Sequence, residues 1–303
     1  MVDLVIVGSV ALDTVQTPHG KVSRALGGTA TYASVAASYF AKTGIVGVVG
    51  GDFEPRHFDL LERRKIDLEG LQVVPRGRTF HWSGFYEGDM NHAYTRATRL
   101  NVFQAFTPII PLEYRRAPFL FLGNIQPDLQ LQVLRQMKRP RLVLCDTMNY
   151  WIKSERSRLE RIFRRSHVIC INDAEARQFT GCHALPNAAR ALLKLGPKRV
   201  IVKLGGYGVQ MYGKNSFFAL PALPLMKVKD PTGAGDTFAG GFIGSLCGAD
   251  RLDEHAFRRA MATGTVMASF CVQDFSCRAT ANLTRYAIRR RIASLRALTY
   301  FRA

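Results

Sequence analysis

The chain has no run of 18 or more apolar residues, so nothing in it reads as a membrane-spanning helix. No basic leader precedes the apolar run 4–7, and no small-residue cleavage site follows it, so the start reads as a first strand and not as a signal peptide. The six cysteines, Cys145, Cys170, Cys182, Cys247, Cys271 and Cys277, contain no C-x-x-C pair. Their wide spacing in mostly apolar surroundings disfavours a zinc site or a disulfide framework and predicts free thiols in a reducing, cytoplasmic compartment. Gly and Pro show no period, which excludes a collagen-like chain. No G-K-[ST] ends a glycine loop and no G-x-G-x-x-G follows the first strand, so neither a Walker A loop nor a dinucleotide fingerprint is present. Acidic residues are few: 23 Asp and Glu stand against 42 Lys and Arg, a formal net charge of +19.

What is there is ordinary globular material. The chain has 303 residues, 47% hydrophobic and 21% charged, enough for one large α/β domain or two small ones. No repeat, low-complexity linker or shift in composition divides it, and 1–303 reads as a single domain. The basic excess would attract anions of any kind: nucleic acid, lipid headgroups or nucleotide phosphates. Arginines cluster at 135–165 and 285–302, and Arg158, Arg161, Arg164 and Arg165 share one helical face. No helix-turn-helix, zinc finger or aromatic RNA-binding motif stands beside them, so the expectation is a solvated face with no nucleic-acid role.

Short apolar runs at 4–7, 45–49, 119–122, 142–145, 168–171 and 200–204 read as buried parallel strands. Each is followed by a polar or Gly-rich turn and then, after most, by a helical pattern; residues 29–40 are the first such helix. Repeated βα units of this length predict a doubly wound, mainly parallel sheet flanked by helices. Residues 14–24 and 76–106 break the rhythm and read as a small β lid. It carries Phe80, Trp82, Phe85 and Tyr86, which could stack a nucleobase, form a small core under the lid, or meet a second lid. An exposed edge strand there would pair with another copy, giving a homodimer through the lid.

Ligands of open parallel sheets sit beyond the carboxyl ends of the strands. The residues just past the apolar runs are 9–13, Gly123-Asn124, 146–149, 172–175 and 205–208, rich in Asp, Asn, Glu and Gly. Each alone is equally a turn former or helix cap. Asp13 is placed to accept hydrogen bonds from two vicinal hydroxyls at once, with Gly27-Gly28 letting the backbone approach the same ring. That predicts a furanose-bearing acceptor.

The most informative stretch is Asp230-Pro231-Thr232-Gly233-Ala234-Gly235-Asp236-Thr237-Phe238-Ala239-Gly240-Gly241. An apolar helical run follows Asp236, so Gly233, Ala234 and Gly235 open a buried helix whose free N–H groups form an anion hole for a phosphoryl group. A carboxylate at Asp236 would repel that anion unless it accepts a proton from an attacking hydroxyl, and Asp236 is the candidate general base. The plainer alternative is a helix cap. Gly240, Gly241 and Gly244 share one face, which predicts close packing of this helix against the sheet.

This stretch resembles the C-terminal signature of the ribokinase (PfkB-type) carbohydrate kinase family. Leu26-Gly27-Gly28-Thr29-Ala30 with residues 44–52, Asp146-Thr147-Met148-Asn149, Asn172-Asp173-Ala174-Glu175, and Val202-Lys203-Leu204-Gly205-Gly206-Tyr207-Gly208 resemble its other motifs in order. The resemblance implies a ribokinase-like fold and transfer of the γ-phosphoryl of ATP, with Mg²⁺, to a hydroxymethyl group of a sugar or nucleoside. It implies Asp236 as the base, Gly233 to Gly235 as the anion hole, and Glu175 with Asn172 organising Mg²⁺ through water. Lys203, Gly205 and Gly208 would lie against the nucleotide, and Gly264 with residues 268–275 near the adenine. Asp13, Gly27, Gly28 and Asn124 would bind the acceptor, and Asp230 a monovalent cation such as K⁺. Tyr32 stands where many of the sugar kinases carry Asn, and Pro231 where a Thr is frequent. The alternative is a basic binding or regulatory protein on the same fold. Two acids kept near the phosphates, Asp236 and Glu175, favour the kinase.

Overall fold

Where four consecutive apolar residues are bounded by turns, both faces of the strand are buried, and the sheet that results carries helices on each side. The computed structural model describes residues 1–300; Arg302, at the end of the second arginine cluster, lies outside them. The chain runs β1 (Leu4–Val7), β2 (Ala11–Thr17), β3 (Gly20–Gly27), α1 (Thr29–Ala37), β4 (Thr43–Gly50), α2 (Pro55–Arg63), β5 (Asp67–Val74), β6 (His81–Tyr86) and β7 (Ala93–Arg99). It continues with β8 (Phe119–Leu122), α3 (Pro127–Gln136), β9 (Leu142–Asp146), α4 (Asn149–Ser154), α5 (Arg156–Phe163), β10 (Val168–Asn172), α6 (Asp173–Thr180), α7 (Leu185–Leu193) and β11 (Arg199–Lys203). Then come β12 (Val209–Gly213), β13 (Phe217–Leu220), α8 (Ala234–Cys247), α9 (Glu254–Cys271), α10 (Arg278–Ala281) and α11 (Arg285–Thr299).

Nine strands form the main sheet in the order β13-β12-β11-β10-β9-β8-β1-β4-β5. Every pairing is parallel except β11 with β12 and β12 with β13, so only β12 runs against the rest. The chain moves outward from β1 through β4 and β5, then returns to β1's other side with β8. The switch point between β1 and β8 is where such sheets open a crevice at their carboxyl ends. One apolar layer joins α1, α8, α9 and α11 to one face. A second joins α3, α5, α6 and α7 to the other. This is the mainly parallel sheet flanked by helices that the sequence predicts.

The interrupting segments pair into a second sheet, β3-β2-β6-β7. Its strands span 11–27 and 81–99, so the β structure begins earlier than residue 14 and ends before 106. Residues 101–105 instead make a short 3₁₀ turn, and Phe106 is buried in the main core.

The glycines of α8 pack differently from expectation. A Cβ on Gly240 would sit 2.1 Å from the carbonyl oxygen of Ala33, and one on Gly244 would sit 2.9 Å from Cα of Ala37. Their partner is helix α1, not the sheet. Gly241 faces Met267 and Gly264 of α9 in the same way. All six cysteines are free; four are buried, and Cys182 and Cys247 are partly so. No helix among the described residues is long and apolar enough to cross a membrane.

Candidate active site

Three neighbouring strands deliver their last residues to one place. Asp146 ends β9, Asn172 ends β10 and Lys203 ends β11, with Asn172 in register with Lys203. Lys203 Nζ donates to Asp146 Oδ2 at 2.8 Å. Burial works against the Lys203 charge, but Asp146 above all outweighs it and holds the ammonium charged. The same nitrogen lies 3.2 Å from where a Cβ on Gly235 would be, so it reaches the first turn of α8.

Asn172 and Glu175 form a reciprocal capping box on α6. Asn172 Oδ1 accepts from Glu175 N–H at 2.8 Å, and Glu175 Oε2 accepts from Asn172 N–H at 2.9 Å. Glu175 is buried, and burial pushes its carboxyl up to about 7 against the pull of Lys203. Its second oxygen has no partner among the described residues and belongs to the wall of the main cleft.

The start of α8 is folded by its own turn. Asp230 Oδ1 accepts from Thr232 N–H at 2.9 Å, which folds the turn. Gly233 caps the helix with φ +74°, a left-handed conformation that costs other residues about 1–2 kcal/mol, and no side chain caps it. The N–H groups of Gly235 and Asp236 find no acceptor among the described residues. Tyr32 is not at a ligand surface: it is 2% exposed, and its ring lies against Gly233. The residue that replaces Asn is thus a prop under the anion loop.

Asp236 is partly buried at the same turn. Desolvation, then the charge of Asp146, pushes its carboxyl up to about 7, with Lys203 and the Thr29 hydroxyl pulling the other way. A base that titrates near neutrality is suited to general-base work. Asp13 is 5% exposed, and burial, followed by the charge of Asp230, lifts it to about 7; Asp236 adds to the lift. Asp13, Asp230 and Asp236 therefore share one neighbourhood. Gly27 makes room for the Asp13 carboxylate, since a Cβ there would meet Oδ2 at 2.0 Å. Gly28, at φ +89°, would meet the Ser9 carbonyl oxygen at 2.4 Å. The glycine pair thus accommodates the chain itself. Asp230 Oδ2 is buried with no hydrogen-bond partner among the described residues.

A cleft of about 990 Å³ runs between the small sheet and the main domain. Asn172, Glu175, Lys203, Gly205, Gly208, Ala234 and Gly235 all line it. Gly205 and Gly208 hold φ of +58° and +107°, and a Cβ on Gly208 would meet the Leu220 carbonyl oxygen at 2.1 Å. Asn91, from the loop between β6 and β7, reaches across to within 3.1 Å of where a Gly205 Cβ would be. Two expected contacts fall elsewhere. Gly264 is packed on Phe238 between α8 and α9, and the wall of the cleft is made one turn on by Thr265, Ala268, Ser269 and Val272. Asn124 is engaged at both ends: Trp151 Nε1 donates to its Oδ1 at 2.9 Å, and its Nδ2 donates to Met148 Sδ at 3.1 Å. It supports the wall that Met148 presents.

The lid aromatics separate by strand alternation. Trp82 and Tyr86 face the cleft. The Trp82 ring lies over Gly84, where a Cβ would be 2.3 Å from it, and Trp82 Nε1 donates to Thr95 Oγ1 at 3.1 Å. Tyr86 OH accepts from the Thr232 hydroxyl at 3.2 Å. Phe85 instead stacks on Tyr94 on the opposite face, and Phe80 packs on Phe103. Asp274, unexplained in the sequence, accepts from Lys229 Nζ at 2.5 Å and from Phe275 N–H at 2.8 Å at the turn after α9.

The model of the pfkB family carbohydrate kinases matches residues 1–284. The cytidine kinase of Thermococcus kodakarensis is 34% identical over 261 residues, covering 84% of this chain and 92% of that one. The nucleoside kinase of Methanothermobacter thermautotrophicus is 28% identical over 306 residues, 95% of each chain. The crystal structure of the Methanocaldococcus jannaschii nucleoside kinase superposes with a TM-score of 0.78 at 19% identity, covering 96% of this chain and 98% of that one. A helix start with free N–H groups, three carboxylates lifted towards neutrality around it and these likenesses converge: the chain belongs to the pfkB family of carbohydrate kinases, and it is a phosphotransferase acting on an alcohol group of a sugar or nucleoside.

Proposed function

We propose that this chain is an ATP-dependent nucleoside kinase. The observation that carries the acceptor class is Trp82, whose ring reaches over Gly84 on the cleft side of the small sheet and is held there through Thr95. A ring so placed offers a stacking platform to a nucleobase, which a free sugar does not need. The names of the relatives, a cytidine kinase and a nucleoside kinase, support the same class.

Asp236 takes the proton of the acceptor's hydroxymethyl group as that oxygen bonds to the γ-phosphorus. The bond from that phosphorus to the β–γ bridging oxygen breaks, and the N–H groups of Gly235 and Asp236 with Lys203 hold the transferring phosphoryl. Asp13 accepts hydrogen bonds from the vicinal ribose hydroxyls. The glycine cradle at 205–208 fits the nucleotide. The unpartnered Glu175 oxygen fits Mg²⁺ held through water, because Mg²⁺ keeps most of its own waters. The bare Asp230 Oδ2 fits a monovalent cation such as K⁺. The small sheet acts as the lid, and the exposed edge of β7 is the surface through which two copies would pair.

The test is a phosphorylation panel of cytidine, 2′-deoxycytidine, inosine and D-ribose. A ribonucleoside is expected to exceed ribose in kcat/KM by at least tenfold. The 2′-deoxy analogue should lose about 1–3 kcal/mol, the cost of an unpaired buried group. Trp82→Ala should raise KM for the nucleoside and leave KM for ribose unchanged. Ribose as the preferred acceptor, or equal kcat/KM for parent and deoxy compound, would overturn the reading.

A further inference from the structure

A second cavity, of about 350 Å³, lies on the outer face of the lid, away from the cleft. Residues of a strand alternate between faces. Asp13, Trp82 and Tyr86 point inward, so Thr14, His81 and Arg99, which is in register with His81, point outward. Thr14 Oγ1 and His81 Nε2 are 3.1 Å apart. The bulge between β2 and β3 adds Arg24. Asp13 pairs with Ala25 and Val15 with Val22, so Ser23 and Arg24 together oppose Thr14. Bulges re-aim side chains, and Arg24 takes φ +48° to turn into this cavity. Arg78 and Asn101 enter from the two stretches that join the lid to the main sheet. Asn101 also has φ +51°, and its Nδ2 donates to the Thr79 carbonyl at 2.8 Å.

Every side chain lining this cavity is polar, and every charged one is a cation. The neighbouring carboxylate, Asp52, is already occupied: it accepts from Arg24 Nη2 at 2.9 Å and from the Thr79 N–H and hydroxyl at 2.7 Å each. The Arg78 and Arg99 side chains make no hydrogen bond or ion pair to any group among the described residues, whereas Arg24 has its carboxylate. His81 feels this field: burial, then Arg24 and Arg99, hold its ring below the usual imidazole range, with only Asp52 opposing. Two unpaired guanidiniums, Arg78 and Arg99, gathered round a concavity with Arg24 and Asn101 held in left-handed backbone at its rim, are poorly explained by folding alone.

We propose that this cavity binds a phosphate-bearing small molecule at a site separate from the active site. Guanidinium forks match phosphate oxygens in pairs, and an anion here would relieve the mutual repulsion of three arginines. The volume lies within the range of small-ligand sites, roughly 300–1,000 Å³. Occupancy would tie the lid strands to both connecting stretches. Because Thr14 and His81 adjoin Asp13 and Trp82 in the chain, the tie would be felt at the acceptor side.

Calorimetric titration of the full chain, saturated with ADP and Mg²⁺, tests this with inorganic phosphate and cytidine monophosphate as probes. An equivalent is expected that weakens at least tenfold in the double variant Arg78→Gln/Arg99→Gln, while ADP affinity and Tm stay unchanged. Arg161→Gln/Arg165→Gln removes the same charge from exposed positions in and just past α5, far from the cavity in the fold, and should leave it intact. Equal affinity for the two probes identifies free phosphate as the ligand; tenfold tighter nucleotide binding identifies the nucleotide. Superimposable curves for wild type and the first double variant, or equal loss in both double variants, would overturn the site. So would a 12-nucleotide single strand that outcompetes both probes and is lost in the first double variant, because the face would then belong to nucleic acid.

Discussion

The ring of Tyr32 lies against the backbone of Gly233: a Cβ on that glycine would sit 2.4 Å from Cγ, Cδ1 and Cδ2 of the ring. Real Cβ contacts do not come so close, and the three equal distances put the ring's face, not its edge, against the loop. Helix α1 therefore supports the turn that opens α8, and Gly233 is needed for its space as well as for its φ of +74°.

Gly233→Ala should accordingly fail on both counts. Left-handed backbone costs about 1–2 kcal/mol, and overpacking a well-filled site adds about 1–3 kcal/mol. The expected result is a lower Tm and a loss of turnover of at least tenfold. Thermal unfolding and steady-state kinetics check it; wild-type values in both would show that the loop has slack that the geometry denies.

Asp236→Asn should lower kcat by about 10²–10⁴-fold, the usual contribution of a general base, with nucleotide affinity retained. In the wild type the base must be ionised, and burial places Asp236 at about 7. Turnover should therefore rise with pH through about 7 and level off above it. A flat profile from pH 5.5 to 8.5 would assign Asp236 to capping the helix.

The same shift has a stability consequence of opposite direction. The folded-state pKa of Asp236 is raised from 3.8 to about 7, so the folded chain holds this proton more tightly than the unfolded chain. Its favourable contribution is complete below about pH 4 and is lost as pH rises through 7. Asp236→Asn, which cannot ionise, should therefore melt above the wild type at pH 8, with the gap narrowing between pH 7 and 4. A variant with a lower Tm at pH 8 would mean that the ionised carboxylate is held by partners strong enough to offset its burial.

The parallel sheet and the helix start at Gly233 were legible because each is written locally. Apolar runs of strand length and a string of small residues before an apolar helix need no knowledge of distant partners. What needed the fold was pairing across the chain. Lys203 and Asp146 are 57 residues apart and meet only because β9, β10 and β11 are neighbours. Tyr32 looked like a substituted ligand because its sequence position carries no record of the ring's direction. The division of the lid aromatics was in fact available: Trp82 and Tyr86 are two strand periods apart and Phe85 is out of phase with both, so the four could not form one flat set. Gly264 and Asn124 illustrate the opposite limit, since closeness to a site and contact with it look alike in a string of letters.

The backbone contacts of Gly240 and Gly244 with Ala33 and Ala37 divide the molecule into parts with different freedom to change. Because α1 and α8 touch without intervening side chains, the start of one cannot shift without carrying the other, and with them go Asp236 and the anion loop. Growth at residues 33, 37, 240 or 244 would pry chemistry apart. Most side chains of β7 are exposed and carry no such constraint, whereas Tyr86 of β6 is tied to the main domain through Thr232 and Phe275. On the acceptor reading proposed above, a designer redirecting this enzyme would leave the welded helix pair alone and rewrite Trp82 and the inward residues of β7.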